Sequence, residues 1–125
     1  MKIQESAENY LETILMLSEN GAHVRSIDIA NELNFSRASV SIAMKKLRGS
    51  GHITMDGDGF ISLTAEGQAV ADKMYERHKL LSDWLHYLGV PKEIAVEDAC
   101  RIEHVISQES FERIRAHVTE MNEHT

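Results

Sequence analysis

The chain has 125 residues, of which 42% are hydrophobic and 26% charged, the composition of an ordinary globular protein. No run reaches the roughly 18 apolar residues that span a bilayer, no apolar signal region opens the chain, and its one cysteine excludes an internal disulfide, so a cytoplasmic protein without a membrane span is predicted. The formal net charge of −7 means that a nucleic-acid partner would need a locally basic surface.

Three amphipathic helices are predicted in the first half of the chain. The first covers about residues 5–18, and the second follows Ser26, whose hydroxyl suits an N-cap. Ser36 suits the N-cap of the third helix, which continues to about residue 48 before two glycines stop it.

The second and third of these helices have the spacing of a helix-turn-helix. Ala30 is a small residue that lets the helices approach, and Asn34, four positions later, tolerates the left-handed backbone of a tight turn. Val40, six residues further on, is the β-branched residue that fills the interface between the helices. The pattern therefore favours a DNA-binding domain over a helical domain of no special function.

After the third helix the hydrophobic period changes from 3.6 to 2. Alternating residues at 53–55 and 61–63 flank Asp-Gly-Asp-Gly at 56–59, which predicts a β-hairpin. Three helices followed by a hairpin is the order of a winged helix-turn-helix. We therefore predict a mainly α fold, with a winged-helix DNA-binding domain over 1–64 and a helical domain over 65–125.

Three more helices are predicted in the second half. Thr64 suits the N-cap of a long helix that Gly89 ends, Pro91 marks the start of the next helix, and Ser107 suits the N-cap of the last. The long helix buries one side, and the last helix carries an apolar stripe over 111–121. That stripe, together with part of the buried side, exceeds what a small helical layer can cover, which predicts a homodimer. The residues expected on the buried side are Val70, Met74, Leu81, Trp84, Leu85 and Leu88.

The outward face of the third helix is the predicted DNA-binding surface. Its serines and the first-turn N–H groups suit phosphates and base edges, and its basic side chains suit the DNA backbone. Ile42 is either a tolerated surface residue or a contact for a thymine methyl group. The predicted DNA-binding residues are Ser36, Arg37, Ala38, Ser39, Ser41, Ile42, Lys45 and Lys46.

A second polar group lies on the fifth helix. Cys100, Glu103 and His104, here called the Cys–Glu–His trio, stand at positions i, i+3 and i+4 and share one face. Thiolate, carboxylate and imidazole suit Fe(II), Mn(II), Co(II), Ni(II) or Zn(II) rather than magnesium or calcium. Such a triplet also arises by coincidence. Further candidate ligands are His78, Asn9 and Glu12.

Three segments carry a resemblance to a known family. Residues 97–107, EDACRIEHVIS, resemble the metal-binding helix of the diphtheria toxin repressor and manganese transport regulator family. Residues 9–14, NYLETI, resemble its first helix, and residues 77–81, RHKLL, its dimerisation helix. The resemblance covers nearly all of residues 5–120. It implies a homodimeric, metal-activated repressor of metal-uptake genes, with the metal between the first helix and the fourth and fifth.

Position by position, the resemblance is to a hybrid of two branches. The Cys–Glu–His trio is similar to the iron-responsive branch, Glu12 is similar to the manganese branch, and His78 serves in both. Asn9 stands where the family has methionine or aspartate, while Ser82 and Val96 replace ligands of a second site. The resemblance thus implies Fe(II) or Mn(II), with Co(II), Ni(II) and Zn(II) as in vitro substitutes. Where the chain departs from the family, we expect one well-formed site, or two that share Glu12 and Glu103, and no SH3-like third domain.

Two other functions compete with this interpretation. A winged-helix regulator that responds to a non-metal effector would leave Cys100 as a redox or core residue. A metal hydrolase would need an open coordination position and a general base. The sequence has no glycine-rich loop, no HExxH motif and no nucleophile–base pair, so we predict that the protein is not an enzyme.

Overall fold

The computed structural model describes residues 5–123 and confirms a mainly α fold with one small sheet. The chain divides into two compact units, Met1–Lys73 and Met74–Thr125, which are described separately. The domain boundary expected after residue 64 stays a prediction. Among the described residues, no helix is long and apolar enough to cross a membrane. The elements are α1 Glu5–Leu17, α2 Ser26–Leu33, α3 Arg37–Gly49, β1 Ile53–Met55, β2 Ile61–Leu63, α4 Ala65–Tyr87, α5 Lys92–Val105 and α6 Gln108–Glu123, with a 3-10 turn at Glu19–Gly21.

The turn between α2 and α3 has the predicted helix-turn-helix geometry. Asn34 adopts the left-handed conformation with φ 58°, and Ala30 and Val40 are buried where the two helices meet. Ser36 caps α3, because its Oγ accepts the backbone N–H of Ser39 at 3.1 Å. The spacing of Ala30, Asn34 and Val40 in the sequence therefore predicted this turn correctly.

The start of α2 differs from the prediction. Ser26 is the first helical residue, and Arg25, in an extended conformation, occupies the N-cap position. The backbone N–H of Arg25 donates to the carboxylate of Asp28 at 2.9 Å. An acidic residue at the third helical position thus satisfies the cap from inside the helix, so the serine hydroxyl is not needed. The expected Ser26 N-cap was wrong by one residue.

The hairpin pairs three residues on each strand, in the antiparallel register Ile53↔Leu63, Thr54↔Ser62 and Met55↔Ile61. Val24 adds a single bridge to Ile61, whose N–H donates to the Val24 carbonyl at 2.7 Å. Helices α1 and α3 pack on this sheet and bury one apolar core. Its large buried side chains are Tyr10, Leu11, Ile14, Val24, Ile29, Val40, Met44, Leu47, Ile53 and Ile61.

The hairpin joins α4 through a tight cap. Thr64 Oγ1 accepts the N–H of Gly67 at 3.1 Å and donates to the Gly51 carbonyl at 2.7 Å, which confirms Thr64 as the N-cap. A methyl group added at Gly67 would overlap the His52 carbonyl oxygen. Only glycine at position 67 therefore allows the start of α4 to lie this close to the backbone of His52.

We expect Gly67→Ala to lower the free energy of unfolding by about 1–3 kcal/mol, because the added methyl group forces backbone apart in a packed corner. The measurement is urea unfolding followed by circular dichroism. Gly49→Ala is the matched control, since nothing lies within 4 Å of a methyl group built there. Gly49→Ala should be neutral or slightly stabilising. Equal midpoints for the two variants would contradict the steric argument.

In the second unit, the helix ends are set by local backbone and capping interactions, and one apolar core joins the helices. Gly89 has φ +108°, and the N–H of Val90 reaches the Leu85 carbonyl at 3.1 Å, which ends α4 as predicted. Pro91 is the N-cap of α5, and Ser107 Oγ accepts the N–H of Ser110 at 3.0 Å ahead of α6. The core of this unit is formed by Leu81, Ala99 and Phe111, with Leu80, Trp84, Ile102, Ile106 and Ile114 against it.

Two expectations about apolar surface in this unit need correction. Leu88 was expected on the buried side, but it lies beyond the last turn of α4 and is 59% exposed. Phe111 was counted as surface for a partner, but it is 2% exposed because it packs inside its own unit. Among the described residues of this unit, the exposed large apolar side chains are Tyr87, Leu88, Ile94, Val96 and Val105 rather than Phe111.

Candidate functional site

The outward face of α3 is arranged as the sequence predicted. All eight predicted DNA-binding residues are exposed, whereas Val40, Met44 and Leu47 on the opposite face are buried. Ile42 is 59% exposed and points away from the core. The exposed face carries the basic side chains of Lys45 and Lys46 and no acidic residue, so it can approach a polyanion. Contact with DNA remains a prediction.

Two serines at the start of α3 hold one another. Ser36 Oγ donates to Ser39 Oγ at 2.8 Å and also accepts the Ser39 backbone N–H. A groove beside them is lined by Ser26 and Ile27 of α2 and by Arg37 and Ser41 of α3. The first turns of both helices therefore border the same groove.

An aromatic stack beside the hairpin turn was missed in the sequence. The His23 ring stacks on the Phe60 ring with centroids 4.5 Å apart, and the Arg25 guanidinium carbon lies 4.4 Å from the Phe60 centroid. The stack orients an exposed arginine next to α2. An aromatic residue directly after the Asp-Gly-Asp-Gly turn was the only signal for it.

In the second unit, three of the predicted metal ligands converge. His78 Nδ1 on α4 lies 3.4 Å from Oε2 of Glu103, and His104 Nε2 lies 3.4 Å from Oε1 of the same carboxylate. Glu103 is 0% exposed, and the side chains of His78 and His104 are 17% and 3% exposed. Two imidazoles and a carboxylate thus meet in a nearly dry site.

The helical repeat of α5 explains why Cys100, Glu103 and His104 lie close together along the helix. Cys100 is partly buried, one turn before Glu103 and His104. Ala95 and Ala99 are fully buried, and Glu103 continues the same line at four-residue spacing. Glu103 therefore lies at the end of the buried face of α5, with His104 next to it in the chain and the partly buried Cys100 one turn earlier.

A buried arginine stands beside these ligands. Arg77 donates from Nη1 to the main-chain carbonyls of Glu103 and Ile106, each at 2.9 Å, and from Nη2 to Gln108 Oε1 at 2.7 Å. The residue is 4% exposed. Beyond the family resemblance of residues 77–81, no local sequence pattern predicts a role for Arg77.

The donor set fits a divalent transition metal. A fully buried carboxylate is costly unless positive charge or hydrogen-bond donors compensate it, and a bound metal ion would supply such charge. Imidazole and carboxylate with a neighbouring thiol suit Fe(II), Mn(II), Co(II), Ni(II) or Zn(II). In the first unit, Glu12 is buried and Asn9 is partly buried on α1. Their role as ligands stays a prediction.

Comparison with known proteins covers both units. The family model described as iron dependent repressor, N-terminal DNA binding domain, matches residues 2–59, and the model described as iron dependent repressor, metal binding and dimerisation domain, matches residues 64–124.

Individual relatives agree with these matches. An HTH-type transcriptional regulator of Methanocaldococcus jannaschii is 33% identical over 115 residues, which are 90% of this chain and 92% of that protein. The transcriptional regulator MntR of Escherichia coli O157:H7 is 35% identical over 112 residues, 90% of this chain and 72% of that protein. A solved manganese-dependent transcriptional repressor in complex with manganese superimposes with a TM-score of 0.84 at 28% identity over 90% of this chain.

The chain spans about half of that solved protein, 52% of its length. The family's two domains nevertheless match in order along nearly the whole sequence, and one contains the helix-turn-helix while the other contains His78, Glu103 and His104. The chain therefore belongs to the iron-dependent repressor family, which consists of metal-dependent, DNA-binding transcriptional regulators rather than enzymes.

Proposed function

We propose that this protein is a cytoplasmic, homodimeric repressor that binds double-stranded operator DNA when Fe(II) or Mn(II) is bound, and that it controls genes of metal uptake or homeostasis. The observation that carries the proposal is the fully buried Glu103, with the imidazoles of His78 and His104 at its two carboxylate oxygens. The same chain presents a basic helix-turn-helix. A metal sensor and a DNA reader are thereby combined in one polypeptide.

The proposed ligand set extends the converging cluster. His78, Glu103 and His104 form its centre, Cys100 adds a thiolate, and Glu12 adds a carboxylate. Asn9 would be a weaker, neutral ligand through its amide oxygen. Thiolate favours Fe(II), whereas a carboxylate-rich set admits Mn(II), so both metals fit. Manganese is also the metal named for the solved repressor that superimposes on this chain.

The acidity of the chain supports a cation as the activating ligand. With a formal net charge of −7, the protein repels DNA at long range. A bound divalent cation would offset acidic charge at the buried site and favour the conformation that holds these ligands together. Lys45 and Lys46 on α3 supply the local attraction that phosphates require.

The test is a DNA-binding titration with defined metal content. Chelator-treated protein is mixed with a DNA fragment selected from genomic DNA by the metal-loaded protein, and affinity is measured with Mn(II), with Fe(II) under anaerobic conditions, or with Mg(II) as the control ion. We expect Mn(II) or Fe(II) to raise affinity about 5–150-fold, the usual range of allosteric coupling. Equal affinity for metal-free and metal-loaded protein would contradict the proposal and favour a non-metal effector.

The DNA interface has its own test. We expect Lys45→Ala to weaken binding to every DNA sequence, because a lysine contact to phosphate is independent of the bases. The slope of log affinity against log salt should flatten by about 0.9, the value for one phosphate contact. Fluorescence anisotropy at several salt concentrations measures both effects. Lys92→Ala, an exposed lysine on α5, is the control. An unchanged slope in Lys45→Ala would remove α3 from the interface.

A further inference from the structure

We infer that Arg77 is a positioning residue of the metal site, because its guanidinium fixes the end of α5 that carries Glu103 and His104. The inference rests on the proposed function, since it concerns how the proposed ligands are held. The residue is almost fully buried, which is unusual for an arginine and demands specific partners. Those partners lie around the last turn of α5 and the first turn of α6.

The charge of Arg77 is matched to the end of a helix. The last carbonyl groups of a helix have no intrahelical donor, and they carry the negative end of the helix dipole. Nη1 of Arg77 donates to one such oxygen, that of Glu103 in the last turn of α5, and to the carbonyl of the C-cap residue Ile106, at 2.9 Å each. Nη2 reaches the side chain of Gln108 on α6 at 2.7 Å. One planar guanidinium therefore links α4 to the α5–α6 junction.

This link acts on Glu103, which is itself a proposed metal ligand. Arg77 and His78 are neighbours on α4, and both reach Glu103. Arg77 holds its main-chain carbonyl, while His78 Nδ1 lies 3.4 Å from its carboxylate. His104 follows directly in the chain and lies 3.4 Å from the other carboxylate oxygen. The backbone that orients Glu103 and His104 is thus held by Arg77. This arginine is adjacent to His78, the third proposed ligand, on α4.

A purely structural role for Arg77 makes a different prediction. If the arginine only stabilised the fold, its loss would lower the melting temperature, and the folded protein would still bind metal with unchanged affinity. If it positions ligands, affinity falls even in the folded protein, since residues that support metal ligands typically contribute 10–100-fold to affinity.

The experiment measures Mn(II) and Co(II) affinity of the full chain by direct titration, together with the Co(II) absorption spectrum. Arg77→Lys keeps the charge but replaces the planar fork with a point charge that cannot hold three oxygens in the same geometry. We expect about tenfold weaker binding for Arg77→Lys, up to about 100-fold weaker binding for Arg77→Met, and about threefold weaker binding for Gln108→Ala. Arg113→Lys, an exposed arginine on α6, is the control and should bind as the unmodified protein does.

The outcomes separate this inference from the proposed function. Unmodified protein that binds metal, with folded Arg77→Lys of equal affinity and spectrum, overturns the inference alone. Unmodified protein that binds no metal overturns the proposed function and the inference with it. If neither Arg77 variant folds, Gln108→Ala decides: weakened metal binding supports the inference, and unchanged affinity overturns it. Hydrogen exchange of the metal-free protein adds a readout independent of metal, because amides around residues 103–107 should exchange faster in Arg77→Lys.

Discussion

Replacing His104 by alanine is expected to abolish metal-activated DNA binding. The imidazole is almost fully buried and lies 3.4 Å from the Glu103 carboxylate, so its loss removes a proposed metal ligand from beside a buried acidic side chain. We expect metal affinity to fall by more than about 100-fold, since even residues that only support a ligand contribute about 10–100-fold. Titration with Mn(II), followed by DNA binding at saturating Mn(II), measures both steps.

His117→Ala is the matched control for that experiment, because His117 is an exposed histidine on α6 of the same unit. It should retain metal activation in full. The far-UV circular dichroism spectra of both variants should match that of the unmodified protein, which excludes unfolding as the cause. Metal-dependent DNA binding that persists in His104→Ala would remove this histidine from the site.

Replacing Cys100 by aspartate is expected to shift metal preference toward manganese. The change exchanges a soft thiolate for a hard carboxylate on the same helical face, and Mn(II) prefers oxygen ligands more strongly than Co(II) does. We expect the ratio of Mn(II) to Co(II) affinity to rise by about tenfold, and the near-ultraviolet thiolate-to-cobalt absorption of the unmodified protein to disappear. Competition between the two ions for a limiting amount of protein gives the ratio directly.

Cys100→Ser separates the effect of losing the thiolate from the effect of gaining a carboxylate. Serine has a similar size but supplies neither thiolate nor carboxylate, so it should weaken both metals without favouring Mn(II) as aspartate does. The unmodified protein should also bind metal less tightly as the pH falls, because protons compete with the metal for sulfur and imidazole nitrogen. A Co(II) spectrum without thiolate absorption in the unmodified protein would place Cys100 outside the coordination shell.

Much of the fold follows from local rules that act within a few residues. Asn34 could be assigned to the corner and Ser36 to the cap because backbone sterics and capping restrict those positions to a few residue types. The start of α2 escaped the same rules, since Asp28 supplies the capping acceptor from inside the helix. Leu88 and Phe111 were misplaced because periodicity gives the face of a helix but neither its end nor its partner.

The site residues also differ in how far local sequence patterns predict them. The Cys–Glu–His trio was visible because a 3.6-residue repeat puts positions i, i+3 and i+4 on one face. The approach of His78 to Glu103 depends on how α4 pairs with α5, which no local pattern encodes, and here the family resemblance supplied it. Two of the three Arg77 hydrogen bonds left no trace in the sequence, because main-chain carbonyl oxygens accept them and every residue type has one.

The short hairpin has a consequence for the thermodynamics of DNA recognition. Two strands of three residues, with one extra bridge at Val24, are too short to persist as an isolated hairpin in water, so their order depends on the packing of α1 and α3 against them. Amides of Thr54 and Ser62 should therefore exchange with solvent sooner than those of Val40 and Met44 in the buried face of α3. If the hairpin becomes ordered against the duplex, its backbone loses conformational entropy at about 1–2 kcal/mol per residue. Association through α3 alone would lack that entropic cost, so calorimetry of hairpin variants would separate the two contributions.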